Sequence, residues 1–331
     1  MSQVRRRLFL LSAGAFLAGP LAVIAQQAGK MRRIGVLSGT GAANPDTQAN
    51  IAAFVKSLQS FGWTVGAGVT IDYRWSAGDP ARARLYAKEL VALAPDVILA
   101  SGYAPVAALH KESVTIPIVF TRLSDPVGQG LVASLAHPGG NVTGFTNFDV
   151  AMGGKWLQIL KEVAPSIARV AVLANPETST LNAWFRSIKA VAGSLAIELV
   201  AAPVRDQDGI ERAIKEIGRK AGGGLIIPPD GFTIEHRAEV ITLAAKFRVP
   251  AIYPFRVFAA NGGLVSYGVD TDEQFRQAAS YIDRILRGAR PADLPVQQPN
   301  KFEMVINLNT AKALGLNVPQ AMLSRADEVI Q

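Results

Sequence analysis

The sequence predicts an α/β protein of two Rossmann-like lobes with parallel sheets, joined by a hinge that the chain crosses several times. Three observations carry this prediction. From Arg32 onward, short apolar runs rich in β-branched residues alternate with helical stretches. The runs are apolar on consecutive residues, the pattern of parallel strands covered on both faces. The rhythm stops at a glycine-rich polar segment, 136–147, and then restarts.

In the first set the strand runs are Ile34-Gly35-Val36-Leu37, Val69-Thr70-Ile71-Asp72-Tyr73, Val97-Ile98-Leu99-Ala100 and Ile116-Pro117-Ile118-Val119-Phe120, with helices over 47–61, 80–94 and 104–112. The helix over 47–61 sets Ala49, Ala52, Ala53, Val55, Lys56 and Leu58 on one largely apolar face. Segment 136–147 reads as a connection between lobes, because Gly139-Gly140 and polar neighbours break the periodicity. In the second set, helices at 153–163, 180–195, 207–220 and 234–247 alternate with strands at 170–173, 197–200, 224–227 and 250–253. Beyond Tyr253 come a strand at 264–267, a helix at 272–287, a stretch at 288–299 too rich in proline for a helix, a strand at 302–307 and a short helix at 310–315. These remnants return the chain to the first lobe and then cross again. Lobe 1 is expected to hold 31–145 plus about 268–298, and lobe 2 148–260 plus about 302–331. Crossings are expected near 145–148, 262–270 and 298–302, an arrangement suited to hinge motion.

The amino terminus reads as an export signal over 1–25. Arg5-Arg6-Arg7-Leu8-Phe9 is a basic start of twin-arginine type, an apolar stretch runs to Ile24, and Val23-Ile24-Ala25 places small residues for cleavage near Ala25. Gly14, Gly19 and Pro20 interrupt a run already short of the roughly 20 residues of a spanning helix. No later stretch is long and apolar enough for a span, so no membrane insertion is expected after cleavage. The chain has no cysteine, which removes disulfides, thiolate metal sites and a lipid-attachment cysteine. Three of the formal +8 charges are Arg5, Arg6 and Arg7. The other basic residues are scattered at spacings of solvated helix faces, as in Arg82 and Arg84 or Lys215, Arg219 and Lys220, so no nucleic-acid partner is expected.

Ligands of open parallel sheets bind beyond the carboxyl ends of the strands. In this chain those positions are Ser38-Gly39-Thr40-Gly41, Ser101-Gly102-Tyr103, Thr121-Arg122-Leu123-Ser124-Asp125-Pro126, Asn175-Pro176-Glu177, Pro228-Pro229-Asp230-Gly231 and Tyr253-Pro254-Phe255. Small hydroxyls, amides, glycines and aromatics suit a small polar solute held by hydrogen bonds and helix amino termini. Each residue also has a structural alternative. Ser38, Ser101, Asn175 and Asp230 are good helix caps, Asp125-Pro126 is a turn former, and Tyr103, Tyr253 and Tyr267 are ordinary packing residues. Ser38-Gly39-Thr40-Gly41 lacks both the G-x-x-x-x-G-K-[ST] and G-x-G-x-x-G patterns, which argues against a nucleotide. His110, His137 and His236 lie in three separate segments, and no G-x-S-x-G elbow is present, so neither a metal cofactor nor serine hydrolysis is expected.

Several longer segments together resemble the ABC-transporter substrate-binding proteins of the tryptophan/tyrosine type. They are Arg33-Ile34-Gly35-Val36-Leu37, Pro95-Asp96-Val97-Ile98, Ser124-Asp125-Pro126-Val127, the run from Leu131 to Gly144 with its Ala136-His137-Pro138-Gly139-Gly140-Asn141, and Ala292-Asp293-Leu294-Pro295 leading into Lys301-Phe302-Glu303-Met304. The resemblance implies the type I periplasmic-binding fold. It also implies a receptor, without cofactor and monomeric, that captures a small solute, an amino acid or related carboxylate, between its lobes. Delivery would be to an inner-membrane ABC permease with its cytoplasmic ATPase, from the periplasm. On that footing the backbone N–H groups near Ser101 and Gly102, with Ser38 and Thr121, are expected to hold a carboxylate. Asp230 beside Asn175 would take an ammonium, and Tyr103 and Tyr253 would cover an apolar side chain. Thr40, Asn147 and Tyr267 complete the expected ligand set. A sensing module for a membrane receptor and an exported α/β enzyme are the rival readings.

Overall fold

The structure is a computed structural model that describes residues 31–331. The export signal expected over 1–25 lies outside the described residues. The first sheet contains β1 (Arg32–Ser38), β2 (Val69–Trp75), β3 (Val97–Ser101), β4 (Ile118–Leu123) and β5 (Val142–Thr146), in the order β2-β1-β3-β4-β5 and parallel throughout. Helices α1 (Pro45–Ser60), α2 (Pro80–Ala92) and α3 (Tyr103–Glu112) connect the first four strands. Strand residues feed two separate apolar clusters. One holds Ile34, Val36, Leu99 and Val119 with Phe54 and Leu58 of α1. The other holds Leu37, Ile98, Ala100 and Phe120 with Leu90 of α2 and Leu109 of α3. A sheet buried on both faces is what the unbroken apolar runs required.

Two details differ from the sequence reading. Segment 136–147, read as a connection, carries β5, whose five residues are all buried. Its only side chains of any size are Val142 and Phe145, too few to stand out beside Gly139-Gly140. Helix α1 buries Thr47, Asn50, Phe54 and Leu58 rather than the alanine-rich stripe, because small alanines do not outweigh Phe54 in choosing the face that packs.

The second sheet runs β12-β11-β10-β9-β8-β6-β7. In chain order it is built from β6 (Arg169–Ala174), β7 (Glu198–Pro203), β8 (Gly223–Ile226), β9 (Ala251–Tyr253), β10 (Val265–Gly268), β11 (Glu303–Asn307) and β12 (Glu328–Ile330). Helices α4 (Met152–Val163), α5 (Leu181–Ala192), α6 (Gln207–Gly218), α7 (Gly231–Glu235), α8 (Arg237–Lys246) and α9 (Arg256–Ala260) cover it around one core centred on Trp156, Trp184, Ile226 and Ile252. The sheet is parallel except at β10 and β11, which pair antiparallel through Val265 and Ile306. That exception follows from the path. β10 leaves the sheet at its hinge end, and the chain returns from the hinge, so β11 begins where β10 stops.

Between those two strands lies α10 (Thr271–Leu286), which packs along α1 and against β3, β4 and β5 of the first sheet. Its anchors are Phe275, Ile282 and Tyr281, whose ring lies 4.7 Å from that of Phe145. The chain passes between the sheets after Thr146, after Gly268 and before Glu303. These strands are tied together: Thr146 N donates to Gln297 O at 2.9 Å, and Gln274 Nε2 donates to Thr146 O at 2.7 Å. Two short helices, α11 (Leu308–Ala313) and α12 (Gln320–Leu323), close the tail.

Helix ends fall into two groups. Asn44, Asp79, Asp206 and Asp270 each cap a helix (α1, α2, α6 and α10) with a side-chain oxygen on backbone N–H groups. The amino termini of α3, α4, α5, α8, α9 and α12 carry no side-chain cap. Of these, α3 and α5 open onto the cleft between the sheets.

Candidate functional site

The carboxyl ends of both sheets meet across one cavity. Its first wall is Gly39, Thr40, Ser101, Gly102, Tyr103, Arg122 and Ser124; its second is Thr178, Ser179, Thr180, Pro229, Asp230, Gly231, Ile234 and Phe255; and Asn147 lies at the crossing between them. The walls are drawn together. Gly41 N donates to Glu235 Oε2 at 2.9 Å across the cleft, and Arg237 forms an ion pair with Asp46. Only about 20 Å³ is open to the centre of a water-sized sphere, room on the scale of a single water. Nothing larger than a water fits between the walls as they stand.

Thr40, Ser101, Gly102, Tyr103 and Asp230, expected from strand ends, line this cavity together with Asn147, expected at the end of the connecting segment. Ser38, Thr121, Asn175, Tyr253 and Tyr267 do not. Ser38 Oγ lies 3.0 Å from Thr40 Oγ1 and accepts from Thr40 N, so it shapes the loop below Thr40. Thr121 is fully buried within β4. Asn175 Oδ1 accepts from Glu177 N at 2.9 Å and closes its own turn. Tyr253 is buried and stacked on Phe258 at 4.9 Å, with burial pushing its hydroxyl pKa up. Tyr267 stacks on Phe302 at 5.8 Å, and its carbonyl accepts from Trp156 Nε1.

Asp230 is buried, and its carboxylate is occupied on both oxygens. Oδ1 accepts from Phe232 N at 3.0 Å and from Thr178 Oγ1, and Oδ2 accepts from Asn175 N at 2.8 Å and Thr233 N at 3.4 Å. Burial pushes its carboxyl pKa up, and these hydrogen bonds pull against that rise. Asp230 thus caps α7 and pins the 175–178 loop to it.

Arg122 was not singled out from sequence. It sits where β4 bulges: the pairing with β5 shifts between Phe120 and Leu123, and Arg122 takes φ 55°, in the left-handed region. Gly144 permits the bulge, because a Cβ there would stand 2.2 Å from Phe120 O. The extra residue turns the Arg122 guanidinium out of the sheet and into the cleft, 5.1 Å above the ring of Phe255 on the other wall. Among the described residues it makes no direct ion pair. Its pKa is lowered to about 10, chiefly by burial; Asp46 raises it and Arg237 lowers it further. Asp46, Asp270, Asp272 and Glu303 line an outer recess that shares Arg122 and Phe255 with the inner cavity.

Two further atoms face the cavity without partners. Asn147 is fully buried, and its Oδ1 accepts from Ser124 Oγ at 2.7 Å and Phe148 N at 2.8 Å. That fixes the amide, and leaves Nδ2 as an unpartnered donor. Thr180 Oγ1, at the start of α5, is also buried and unpartnered. The signal for Arg122 was an arginine two residues beyond an apolar strand run, among small polar residues; no sequence signal marks Thr180.

Comparison with known proteins agrees with this geometry. Residues 42–330 match the family model described as ABC transporter substrate binding protein. A "Tyrosine-binding protein" of Clostridioides difficile is 28% identical over 265 residues, covering 80% of this chain and 75% of the relative. A conserved domain protein of Vibrio cholerae superposes with a TM-score of 0.84 at 28% identity, over 91% of this chain and all of that one. An ABC domain in complex with L-Trp from Streptococcus pneumoniae gives 0.83 at 24% identity, over the same 91% and all of its own chain.

Proposed function

Since this chain belongs to the ABC transporter substrate-binding proteins, we propose that its inter-sheet cavity captures an amino acid, with aromatic ones the first to test, and hands it to a membrane permease served by an ATPase. The observation that carries this reading is the position of the cavity. Both sheets end on it, both contribute donors, and the chain crosses beside it at Asn147, so parting and closing of the walls opens and seals the same space. The ligand class is supported by the tyrosine-binding relative at 28% identity.

Thr40, Ser101, Gly102, Tyr103, Arg122 and Asn147, with Thr178, Ser179, Thr180 and Phe255 of the second wall, form the proposed ligand-facing set, and Asp230 holds that second wall in shape. Solute would bind one wall first, and its extra contacts with the other would shift the molecule towards the closed form. The lobes proposed are the first sheet with α10 and the second sheet with the tail. We assign capture and release rather than chemistry. Among the described residues no histidine lines the cavity, and the one acid that does, Asp230, is fully occupied. The expected location is the periplasm, in keeping with the basic, apolar amino terminus. Among the described residues no helix is long and apolar enough to cross a membrane.

A thermal-shift and calorimetry screen against the amino acids tests this. A solute at about 100 times its Kd adds roughly 2.7 kcal/mol to the stability of the folded form. Tight binding of tyrosine, tryptophan or phenylalanine is the expected outcome. Stabilisation by a sugar or purine and by no amino acid would overturn the ligand class.

A further inference from the structure

Charge in the cavity is distributed unevenly between donors and acceptors. On the donor side are the Arg122 guanidinium, which has no direct ion pair, and the buried Asn147 Nδ2, which has no partner. To these are added the amino termini of α3 and α5, helices of 10 and 12 residues that lack side-chain caps. Each of these groups favours an anion. On the acceptor side stands Asp230, whose two oxygens are filled by donors of its own wall. Glu235, at the edge of the cleft, accepts from Gly41 N, and the other acids nearby line the outer recess, where Asp272 makes no ion pair among the described residues. There Asp46 is paired with Arg237, Asp270 with Arg276 and Glu303 with Lys301.

We infer that the cavity selects its solute by a carboxylate and not by an ammonium, with Arg122, Asn147 Nδ2 and the open amino terminus of α5 holding the anion. A 2-oxo acid is therefore bound about as well as the amino acid of the same side chain. This rests on the amino-acid reading for the choice of probes, and it goes beyond that reading in excluding Asp230 as the partner of the amine. The physical ground is an asymmetry of cost. Removing the carboxylate leaves a buried guanidinium and a buried amide unpaired, a large penalty. Removing the amine strands no cavity acid. A site built to hydrogen-bond one group rejects the analogue lacking it far more strongly than it rejects a change elsewhere.

The test is calorimetry on the whole protein with three matched ligands: L-phenylalanine, phenylpyruvate and phenethylamine. Phenylpyruvate is expected within about threefold of phenylalanine, and phenethylamine at least about 100-fold weaker. Arg122→Gln should weaken both acids by a similar factor, about 30-fold or more, on protein whose folding is checked by circular dichroism. Arg122→Lys should recover part of that loss, since it restores the charge without the planar fork. If phenylalanine binds and phenylpyruvate is 30-fold weaker or worse, the inference falls and the amino-acid reading stands. The inference also falls if Asp230→Asn or Asp272→Asn, still folded, selectively weakens phenylalanine, because the amine would then have an ionic partner. Binding of phenylpyruvate with no binding of phenylalanine or any other amino acid sinks the amino-acid reading and keeps the inference. Should an amino acid bind and no 2-oxo acid bind at millimolar concentration, the inference fails; should no amino acid and no 2-oxo acid bind, both fail.

Discussion

Asp230 and Arg122 stand on opposite walls of one cavity, both charged and both withdrawn from water, yet their surroundings are opposite. Asp230 receives donors from four residues of its own wall, so folding alone satisfies it. Among the described residues Arg122 makes no direct ion pair; Asp46 of its own lobe acts on it only through space, and its contact is the Phe255 ring across the cleft. A buried charge with complete local bonding holds a structure together. A buried charge left incomplete is held ready for something that arrives. The cost of keeping Arg122 in that state is visible in the backbone, where it occupies a left-handed conformation on a bulge.

The sharpest way to break the contrast is at Gly144, because the bulge that aims Arg122 depends on it. Gly144→Ala sets a Cβ 2.2 Å from Phe120 O and 2.5 Å from Phe120 N, both backbone atoms that cannot swing away. We expect a loss of about 4 kcal/mol in denaturant unfolding. Whatever folded protein remains should bind carboxylate solutes poorly, since β4 would pair with β5 without the extra residue. An Ala variant with normal stability and normal affinity would show that the bulge is not what places Arg122.

Asp230→Asn comes next. The amide keeps the shape but offers hydrogens to two of the four donors, so two buried donors lose their acceptor. A destabilisation on the order of 3 kcal/mol is expected from urea unfolding, with affinity per folded molecule changed less than threefold. A stable variant that had lost its affinity would reverse the roles assigned to the two charges.

The pH dependence of binding is a third handle, provided the probe is an oxo acid with no amine to titrate. The Arg122 pKa is lowered to about 10 by burial, raised somewhat by Asp46 and lowered by Arg237. The acids of the outer recess, Asp46, Asp270, Asp272 and Glu303, and Arg256 beside them also face it. The solute pairs with the charged form, so affinity should be flat through neutral pH and fall by about tenfold per pH unit above 10. Arg122→Gln should abolish this fall. A flat profile to pH 11 in the wild type would remove Arg122 from the binding reaction.

These residues also mark how far the sequence could be read. The two-sheet architecture was legible because β4 and its neighbours carry unbroken apolar runs that only doubly covered strands require. The position of the cavity followed from strand ends, which is why Thr40, Ser101, Gly102, Tyr103 and Asp230 meet there; Asn147 joins them from the segment read as a connection. Side-chain direction was not legible. β9 is three residues long, too short for its alternation to be phased, so Tyr253 was chosen for the cleft while Phe255, two residues on, lines it. The bulge at Arg122 was hidden for a related reason: one inserted residue reverses the facing of a side chain and leaves the hydrophobic pattern intact. Whether Asp230 capped a helix or met a ligand depended on donors 52 to 55 residues away in the chain, at Thr178 and Asn175.

The smallest expected effect sharpens the contrast most, because it runs against the usual direction of mutation. The folded pKa of Arg122, about 10, lies below the 12.5 of an ordinary arginine, so the folded state holds this proton less tightly than the unfolded chain does. Its charge therefore costs stability at neutral pH, a cost relieved as pH rises through 10. Arg122→Gln removes that cost and gives up only the contact with Phe255. Because the lost contact with Phe255 offsets part of the recovered penalty, a gain of about 1 kcal/mol in the solute-free protein is expected by urea unfolding. The same substitution at neutral pH weakens carboxylate binding, so stability and affinity move in opposite directions. Asp230→Asn moves stability down and leaves affinity alone. Two variants that separate the measured quantities in this way would distinguish a charge that builds the cleft from one that serves it. A loss of stability in Arg122→Gln comparable to that in Asp230→Asn would mean that Arg122, too, is part of the frame.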